Sequence, residues 1–244
     1  MLMAAASNGD AEQSSHCFTD SVAKTDYVVC RFDTDADIRL FLNDENGKPF
    51  RHFNRVNNAL VENGEVLAFA MNAGMYHENR SPVGLYVGVE QRESFVEYKL
   101  NTNDGPGNFH MKPNGVFYVA NTGKAAVEDT DRFRANESFL FRYATQSGPM
   151  LVINGDIHPR FILDSDSRKR RNGVGVTNAG DVIFVLADTP VNFYDFAHYF
   201  RDVLETPNAL YLDGTISRIY APELNRNDPG VGMGPIIGIV TDHE

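Results

Sequence analysis

The sequence of 244 residues lacks long apolar runs and has few positive charges for its length. No segment approaches the ~20 apolar residues that a membrane-spanning helix needs, so we expect no such span. Lysine and arginine total 22 against 33 aspartates and glutamates, which gives a formal net charge of −11. Nucleic acids and anionic membrane surfaces require clustered positive charge, so neither is an expected partner. A small phosphorylated molecule stays open, because one well-placed arginine can hold it.

Cysteine is also scarce. Cys17 and Cys30 are the two cysteines, and they match no zinc motif because two further ligands at metal-site spacing are missing. In an exported protein the pair would form a disulfide, whereas in the cytosol both would be free thiols. Residues 1–15 are small and polar and lack the basic and apolar regions of a signal peptide. We expect residues 1–16 to be a flexible tail and residues 17–244 to be one domain.

Several common functional motifs are absent. Gly173-Val-Gly175 has Asn178 where a dinucleotide-binding motif has its third glycine, and no Walker A segment occurs. His77 is followed by glutamate but not by the second histidine of a zinc protease, and Ser147 has no nucleophile elbow. A serine hydrolase built on Ser147 is therefore a weak alternative. The loop histidines 77, 110 and 158 are not at metal-ligand spacing.

Strand-like segments dominate the chain and predict the fold class. Nine runs rich in β-branched and aromatic residues are predicted strands: 27–33, 38–42, 67–72, 83–89, 115–120, 150–153, 182–186, 209–213 and 235–241. Two helices are predicted, 52–62 and 192–204, the second with one apolar face and Asn192 as its N-cap. Because strands and helices do not alternate regularly, we expect an α+β single domain, a mixed β-sheet with a few packed helices.

Polar residues and glycines cluster at the ends of predicted strands, in segments 72–75, 108–115, 146–149, 170–175 and 212–217. Each alone is typical of a turn, because Gly and Asn adopt positive φ and Asp caps turns. Together they predict a polar cleft at one edge of a sheet.

The residue types in this cleft indicate its ligand. The planar fork of Arg171 suits a phosphate. Asp213 leaves an apolar strand, so burial should raise its pKa and allow acid or base chemistry. Asn72, Gln146 and Ser147 offer neutral hydrogen bonds for hydroxyl groups. An anionic group on a sugar-like body fits these side chains, and a purely apolar ligand does not.

The same segments, in order over residues 69–240, resemble the phosphodiester glycosidase family and within it a bacterial, envelope-associated branch. AMNAGMY resembles the family's Asn-Gly-Gly-Phe-Phe, NFHMKPNGVFYV its Asn-Phe-Gly-x-Arg-x-Asp-Gly, and QSGPMLV its Ser-Gly-x-x-Leu. RRNGVGV resembles Arg-Thr-Ala-Ile-Gly and NALYLDGTIS resembles Asn-Leu-Asp-Gly-Gly-Gly-Ser, which aligns Arg171 and Asp213 with family residues. Thr215 and Ile216 depart from the glycines that follow the family aspartate.

The resemblance implies a hydrolase that cleaves the glycosidic bond of a sugar-1-phosphodiester. Arg171 would bind the phosphate, and Asp213 would act as the base for water or face the positive charge on the sugar. Asp188 is the candidate for a second acid, with a turn cap as its equal alternative. The implied substrate-binding residues are Asn72, Gly74, Gln146, Ser147, Gly148, Gly214 and Ser217.

Three further expectations accompany this assignment. The substrate is a small-molecule or oligosaccharide phosphodiester, and no cofactor is expected, although a divalent metal held by Asp188 and Asp213 stays open. The cysteine pair and the resemblance favour a periplasmic or secreted protein. The alternative function is a non-catalytic saccharide-binding protein of the cell envelope, which would use the same cleft without turnover.

Overall fold

The computed structural model describes residues 15–89, 98–136 and 140–243. These residues form sixteen strands in three sheets. The strands are β1 (Cys17–Val22), β2 (Thr25–Phe32), β3 (Asp37–Phe41), β4 (Glu65–Asn72), β5 (Tyr86–Val87), β6 (Gly115–Ala120), β7 (Ala125–Asp129), β8 (Phe141–Ser147), β9 (Met150–Ile153), β10 (Asp156–Ile157), β11 (Asn172–Val176), β12 (Val182–Ala187), β13 (Asn208–Asp213), β14 (Ile219–Ala221), β15 (Arg226–Asn227) and β16 (Ile236–Asp242).

The sheet order shows how distant parts of the chain meet. The first sheet runs β1-β2-β12-β11-β13-β9-β10, the second β15-β14-β4-β16-β3, and the third β5-β8-β6-β7. The prediction of an α+β single domain is confirmed. The expected mixed sheet is corrected, because every strand pair within the described ranges is antiparallel. Parallel neighbours need a long crossover, usually a helix, and the chain instead uses turns and loops.

The helices are short and lie outside the sheets. They are α1 (Phe53–Val61), α2 (Thr130–Ala135) and α3 (Phe193–His198), which continues as a π-helical turn, Tyr199–Val203. Both predicted helices are confirmed, and the Asn192 side chain accepts a 2.7 Å hydrogen bond from the Asp195 amide as its cap. Helix α2, capped by Asp129, is too short for its apolar periodicity to be recognised in the sequence.

Two segments predicted as loops are strands in the structure. Gln146 and Ser147 end β8, and segment 172–175 lies in β11, between β12 and β13. The glycines of β11 serve close packing. A Cβ on Gly173 would lie 2.9 Å from the Leu210 carbonyl oxygen, and one on Gly175 would lie 2.8 Å from the Thr206 side chain. Glycine therefore occurs here within a buried strand, where sequence alone indicated a turn.

An aromatic cluster joins the three sheets. Phe69 of the second sheet stacks on Phe184 of the first at 4.9 Å between ring centroids, and Phe117 of the third contacts Phe184 at 6.2 Å. These rings belong to one continuous buried core. The sheets therefore form one folding unit, which places the ends of strands from different sheets around a common site.

The N-terminal strand is tied to the rest of the domain. Cys17 and Cys30 face each other across β1 and β2 and form a disulfide. Most of the predicted tail, residues 1–14, lies outside the described residues. Ser15 and His16 depart from that prediction, because both hydrogen-bond to the Glu223 carboxylate, at 2.8 and 2.9 Å. Within the described residues, no helix has the length and apolar character needed to cross a membrane.

We expect loss of the disulfide to destabilise the protein substantially. Replacing Cys17 and Cys30 together by alanine should lower the free energy of unfolding by about 3 kcal/mol, because the bond closes a short loop in the unfolded chain. Chemical denaturation of both proteins without reductant measures the difference. Equal unfolding midpoints would contradict the assigned stabilising role.

Candidate active site

A cavity of about 310 Å³ opens beside Asp213. Its lining comes from the loop after β4, the turn at residues 108–110, the segment before β11, and the end of β13 with the loop that follows. The lining residues are Met75, Tyr76, His77, Glu78, Arg80, Val83, Asn108, Lys169, Tyr211, Asp213, Thr215 and Ile216.

One wall of the cavity is a hydrogen-bonded loop over residues 75–83. The His77 amide donates to the Ser81 carbonyl at 2.8 Å, and the Val83 amide donates to the Met75 carbonyl at 3.0 Å. The guanidinium of Arg80 lies 5.5 Å from the centroid of the Tyr76 ring. The loop therefore holds a cation and an aromatic ring at the cavity.

Asp213 is half-buried at the end of β13. Its Oδ1 accepts hydrogen bonds from the amides of Gly214 at 2.6 Å and Thr215 at 2.9 Å. Burial raises the pKa of the Asp213 carboxyl, and this effect outweighs the opposing backbone hydrogen bonds and the nearby charge of Lys169. The expectation that a carboxyl leaving an apolar strand would have a raised pKa is thereby supported.

The buried side-chain amides of Asn72 and Asn172 hold the segment around Asp213 on the side away from the cavity. Asn172 Oδ1 accepts the Asp213 amide at 3.0 Å, and Asn172 Nδ2 donates to the Asn72 carbonyl at 2.9 Å. Asn72 Oδ1 accepts the Arg218 amide at 2.8 Å, and the Ser217 hydroxyl donates to the Asp213 carbonyl at 3.1 Å. The predicted ligand contacts Asn72 and Ser217 are thus part of the scaffold, and they do not line the cavity.

The predicted residues of segments 74 and 146–148 also lie beneath the surface. The Gln146 side chain takes part in four hydrogen bonds, two with Asn101 and one each with Leu85 and Thr130. The buried Ser147 hydroxyl donates to the Leu212 carbonyl at 2.9 Å. Its partner is a backbone carbonyl, so this serine lacks the neighbouring base that a nucleophile requires.

Two predicted binding glycines, Gly74 and Gly148, are explained by crowding. A Cβ on Gly74 would lie 2.4 Å from the Gln146 carbonyl oxygen, and one on Gly148 would lie 2.6 Å from the Asn114 side chain. No side chain larger than hydrogen fits at either position without movement of the backbone. Their contribution is to the packing around the site.

Arg171 is a buried cation with an incomplete set of partners. Its side chain is 1% exposed, Nε donates to the Val191 carbonyl at 2.8 Å, and Nη2 donates to the Ser167 carbonyl at 2.9 Å. The guanidinium lies 3.7 Å from the centroid of the Phe193 ring. Its Nη1 is buried, and the side chain of Tyr211 beside it opposes the effect of burial on the Arg171 pKa. Burial lowers the pKa of Arg171, and among the described residues no carboxylate pairs with it.

Tyr211 and Gly214 lie next to Arg171 Nη1. The position of a Cβ on Gly214 would be 2.0 Å from the Tyr211 hydroxyl and 3.5 Å from Arg171 Nη1. The glycine is therefore required by the close approach of the phenol. Burial raises the pKa of Tyr211, and the Arg171 charge opposes this shift. Tyr211 lines the cavity and so connects it with the buried cation.

Asp188 lies in an ion-pair cluster outside this cavity. Arg226 donates to both its carboxylate oxygens at 2.5 and 2.7 Å, and Arg170 donates at 2.8 Å. Both arginines also bind Asp228 at 2.9 Å. Although burial raises the pKa of Asp188, these contacts hold it below its ordinary value. The structure therefore does not bring Asp188 together with Asp213 as the two-carboxylate and metal hypotheses required.

Several cavity residues were not identified from the sequence. Tyr211 lies in an apolar strand and resembles a core residue, Arg80 is a single cation in a loop, and Lys169 lies within the basic run of residues 168–171. The available signal was position, because Arg80 follows the Asn72-Ala-Gly74 segment closely and Lys169 precedes Arg170 and Arg171. In the part of the chain that is described, no group of three or more His, Cys, Asp or Glu side chains could hold a metal ion.

Comparison with known proteins identifies the family. The model of the phosphodiester glycosidase family matches residues 65–236. The chain belongs to the phosphodiester glycosidase family. The protein YigE of Escherichia coli (strain K12), described as uncharacterized, is 39% identical over 183 residues, which cover 75% of this chain and 69% of YigE.

Two solved structures share the fold of this phosphodiester glycosidase family member. The first is the zebrafish N-acetylglucosamine-1-phosphodiester alpha-N-acetylglucosaminidase catalytic domain, auto-inhibited by its pro-peptide, with a TM-score of 0.60 and 13% identity. The match covers 91% of this chain and 81% of the zebrafish chain. The second is a hypothetical protein from Synechocystis, with a TM-score of 0.54, 12% identity, and coverage of 92% and 61%. At these identities the likeness concerns the fold alone.

We expect replacement of Asp188 in its ion-pair cluster to lower stability without lowering activity. Asp188→Asn should lower the free energy of unfolding by about 1 kcal/mol, because partly exposed ion pairs contribute modestly. Hydrolysis of a sugar-1-phosphodiester should keep its kcat/KM. Denaturation and kinetics on the same preparation measure both. A large fall in kcat/KM with unchanged stability would instead make Asp188 the second acid.

Proposed function

We propose that this protein hydrolyses the glycosidic bond of a sugar-1-phosphodiester in the cavity beside Asp213. The main support is Arg171, a buried cation with no carboxylate partner among the described residues, which lies behind the cavity-lining residue Tyr211. An unpaired ion removed from water destabilises a protein by several kcal/mol. A bound phosphodiester would supply the missing negative charge.

Two further cations support binding of an anion here. Lys169 and Arg80 both line the cavity, and neither forms an ion pair with any residue that the structure describes. Several other arginines of this acidic protein, such as Arg39 and Arg226, are held by carboxylates. The lining also contains the carboxylates of Asp213 and Glu78, so its formal charge is balanced. Lys169 and Arg80, which we call the positive rim, can contact the phosphate of a single diester locally in a chain of net charge −11.

Asp213 is the proposed base or charge stabiliser. A phosphodiester is already a good leaving group, so its protonation matters less than in an ordinary glycoside. One ionised carboxylate can accept the proton of the attacking water, or face the positive charge that develops on the sugar. Where a second acid is needed, Glu78 is the other carboxylate that lines the cavity. It replaces Asp188 in that role.

The disulfide supports an extracytoplasmic location, which we include in the proposal. Disulfides persist in oxidising compartments and are rare in the cytosol. Cys17 and Cys30 are both buried and joined in the folded protein. A periplasmic or secreted enzyme would meet sugar phosphodiesters of the cell envelope.

Release of free sugar from a panel of sugar-1-phosphodiesters tests the activity. The wild type should turn over at least one member, and Asp213→Asn should lower kcat/KM by about 100-fold or more, since general acid–base groups contribute on that scale. Asp156→Asn is the matched control, because Asp156 is exposed in β10 and lies outside the cavity lining. Binding of the panel without release of sugar would favour the saccharide-binding alternative.

The pH dependence of the reaction should report the raised pKa of Asp213. As base or charge stabiliser Asp213 acts in its ionised form, so kcat/KM should fall as pH drops through this raised pKa. The acid limb should therefore lie above the ordinary aspartate pKa of about 3.9. Initial rates measured from about pH 3 to about pH 8 provide the profile. An acid limb at or below the ordinary value would contradict the role of Asp213.

The positive rim predicts a salt-dependent KM. Lys169→Met should raise the KM for a phosphodiester roughly fivefold at low salt, the effect of losing an exposed ion pair of about 1 kcal/mol. The difference from wild type should shrink as salt screens the attraction. Lys124→Met is the control, because Lys124 is exposed and lies outside the cavity lining. An equal salt dependence of KM in the wild type, Lys169→Met and Lys124→Met would contradict a contact between Lys169 and the substrate.

A further inference from the structure

We propose that Tyr211 is a catalytic residue whose hydroxyl donates a hydrogen bond to the phosphate of the bound substrate. Through this contact the buried charge of Arg171 would act on the leaving group. The inference rests on the proposed function and assigns a substrate contact within it.

The positions of the two side chains lead to this assignment. Tyr211 lines the cavity together with Asp213 and Asn108, whereas Arg171 does not. Both residues are 1% exposed and Arg171 Nη1 is buried, so membership of the cavity lining is what distinguishes Tyr211 from Arg171. The Tyr211 hydroxyl and Arg171 Nη1 both adjoin the same point beside Gly214. Tyr211 is therefore the group that adjoins the cation and also borders the cavity.

The phenol is suited to donate a hydrogen bond to an anion while it keeps its proton. Burial raises the pKa of Tyr211, so the hydroxyl stays protonated at neutral pH. The positive charge of Arg171 beside it favours an electron-rich acceptor on the other side of the hydroxyl. A phosphate oxygen at the cavity wall meets this requirement, and it would also compensate the Arg171 charge.

The need for such a donor grows during the reaction. The bond between the anomeric carbon and the phosphate oxygen breaks, and its electron pair leaves with the phosphate, whose charge changes from −1 to −2. A water oxygen bonds to the anomeric carbon, and its proton passes to Asp213. The Tyr211 proton stays on the phenol, and its hydrogen bond strengthens as charge develops. The contact therefore stabilises the transition state more than the bound substrate.

Tyr211→Phe is the direct test, because it removes one oxygen and keeps the ring that packs against Phe193 at 4.8 Å. We expect kcat on the sugar phosphodiester to fall by about 100-fold, the usual effect of removing one donor to a developing anion, with little change in KM. Tyr199→Phe is the matched control. Its buried hydroxyl donates to Asp20 at 2.7 Å and lies outside the cavity lining, so kcat should stay unchanged.

Calorimetric binding of inorganic phosphate provides a second readout that needs no turnover. Wild type should bind the dianion more tightly than the monoanion across the phosphate pKa, and Tyr211→Phe should lose most of this preference. A thermal unfolding midpoint equal to that of wild type shows that the variant is folded. An active wild type together with unchanged kcat and phosphate binding in Tyr211→Phe would overturn the inference. A wild type that releases no sugar from any phosphodiester would instead overturn the proposed function.

Discussion

A buried positive charge with no carboxylate partner among the described residues is the constraint on which the site depends. The Arg171 guanidinium is fixed by two backbone carbonyls, of Val191 and Ser167, and by the face of Phe193. These contacts orient the ion, but carbonyl dipoles and a ring do not neutralise it. An uncompensated buried ion lowers stability, so such an arrangement is suited to a ligand that brings the opposite charge.

The surrounding polar residues hold the Asp213 carboxylate in place at the end of β13. Asn72 ends β4 of the second sheet and Asn172 begins β11 of the first. The Asn72 side chain donates to Asn172 Oδ1, and the two side chains accept hydrogen bonds from the Arg218 and Asp213 amides. The buried amides thus join two sheets at the point where β13 ends. Their hydrogen bonds are satisfied within the protein, as buried polar groups require. The substrate would meet Asp213, Tyr211 and the rim cations, with this scaffold behind them.

Local patterns in the sequence predict much of the fold and part of the site. Apolar β-branched runs identify most long strands, and the aromatic spacing of residues 192–204 identifies the clearest helix. The same logic predicts that Asp213, at the end of an apolar strand, has a raised pKa. The sequence does not identify Tyr211 as a cavity residue. The alternation of apolar residues along a strand is the same for a tyrosine in the core and for a tyrosine that lines a cavity. The prediction for Gln146 and Asn172 is wrong for a different reason. Both are polar residues in segments predicted as turns, and both are buried in strands.

We propose that an anionic ligand compensates the Arg171 charge from the cavity side of Tyr211. A crystal structure of the protein with a sugar 1-phosphate bound tests this arrangement. We expect phosphate density within hydrogen-bond distance of the Tyr211 hydroxyl, near Lys169, with the sugar beside Asp213. A phosphate bound away from Tyr211, or a sugar in the cavity with its phosphate directed into solvent, would rule the arrangement out.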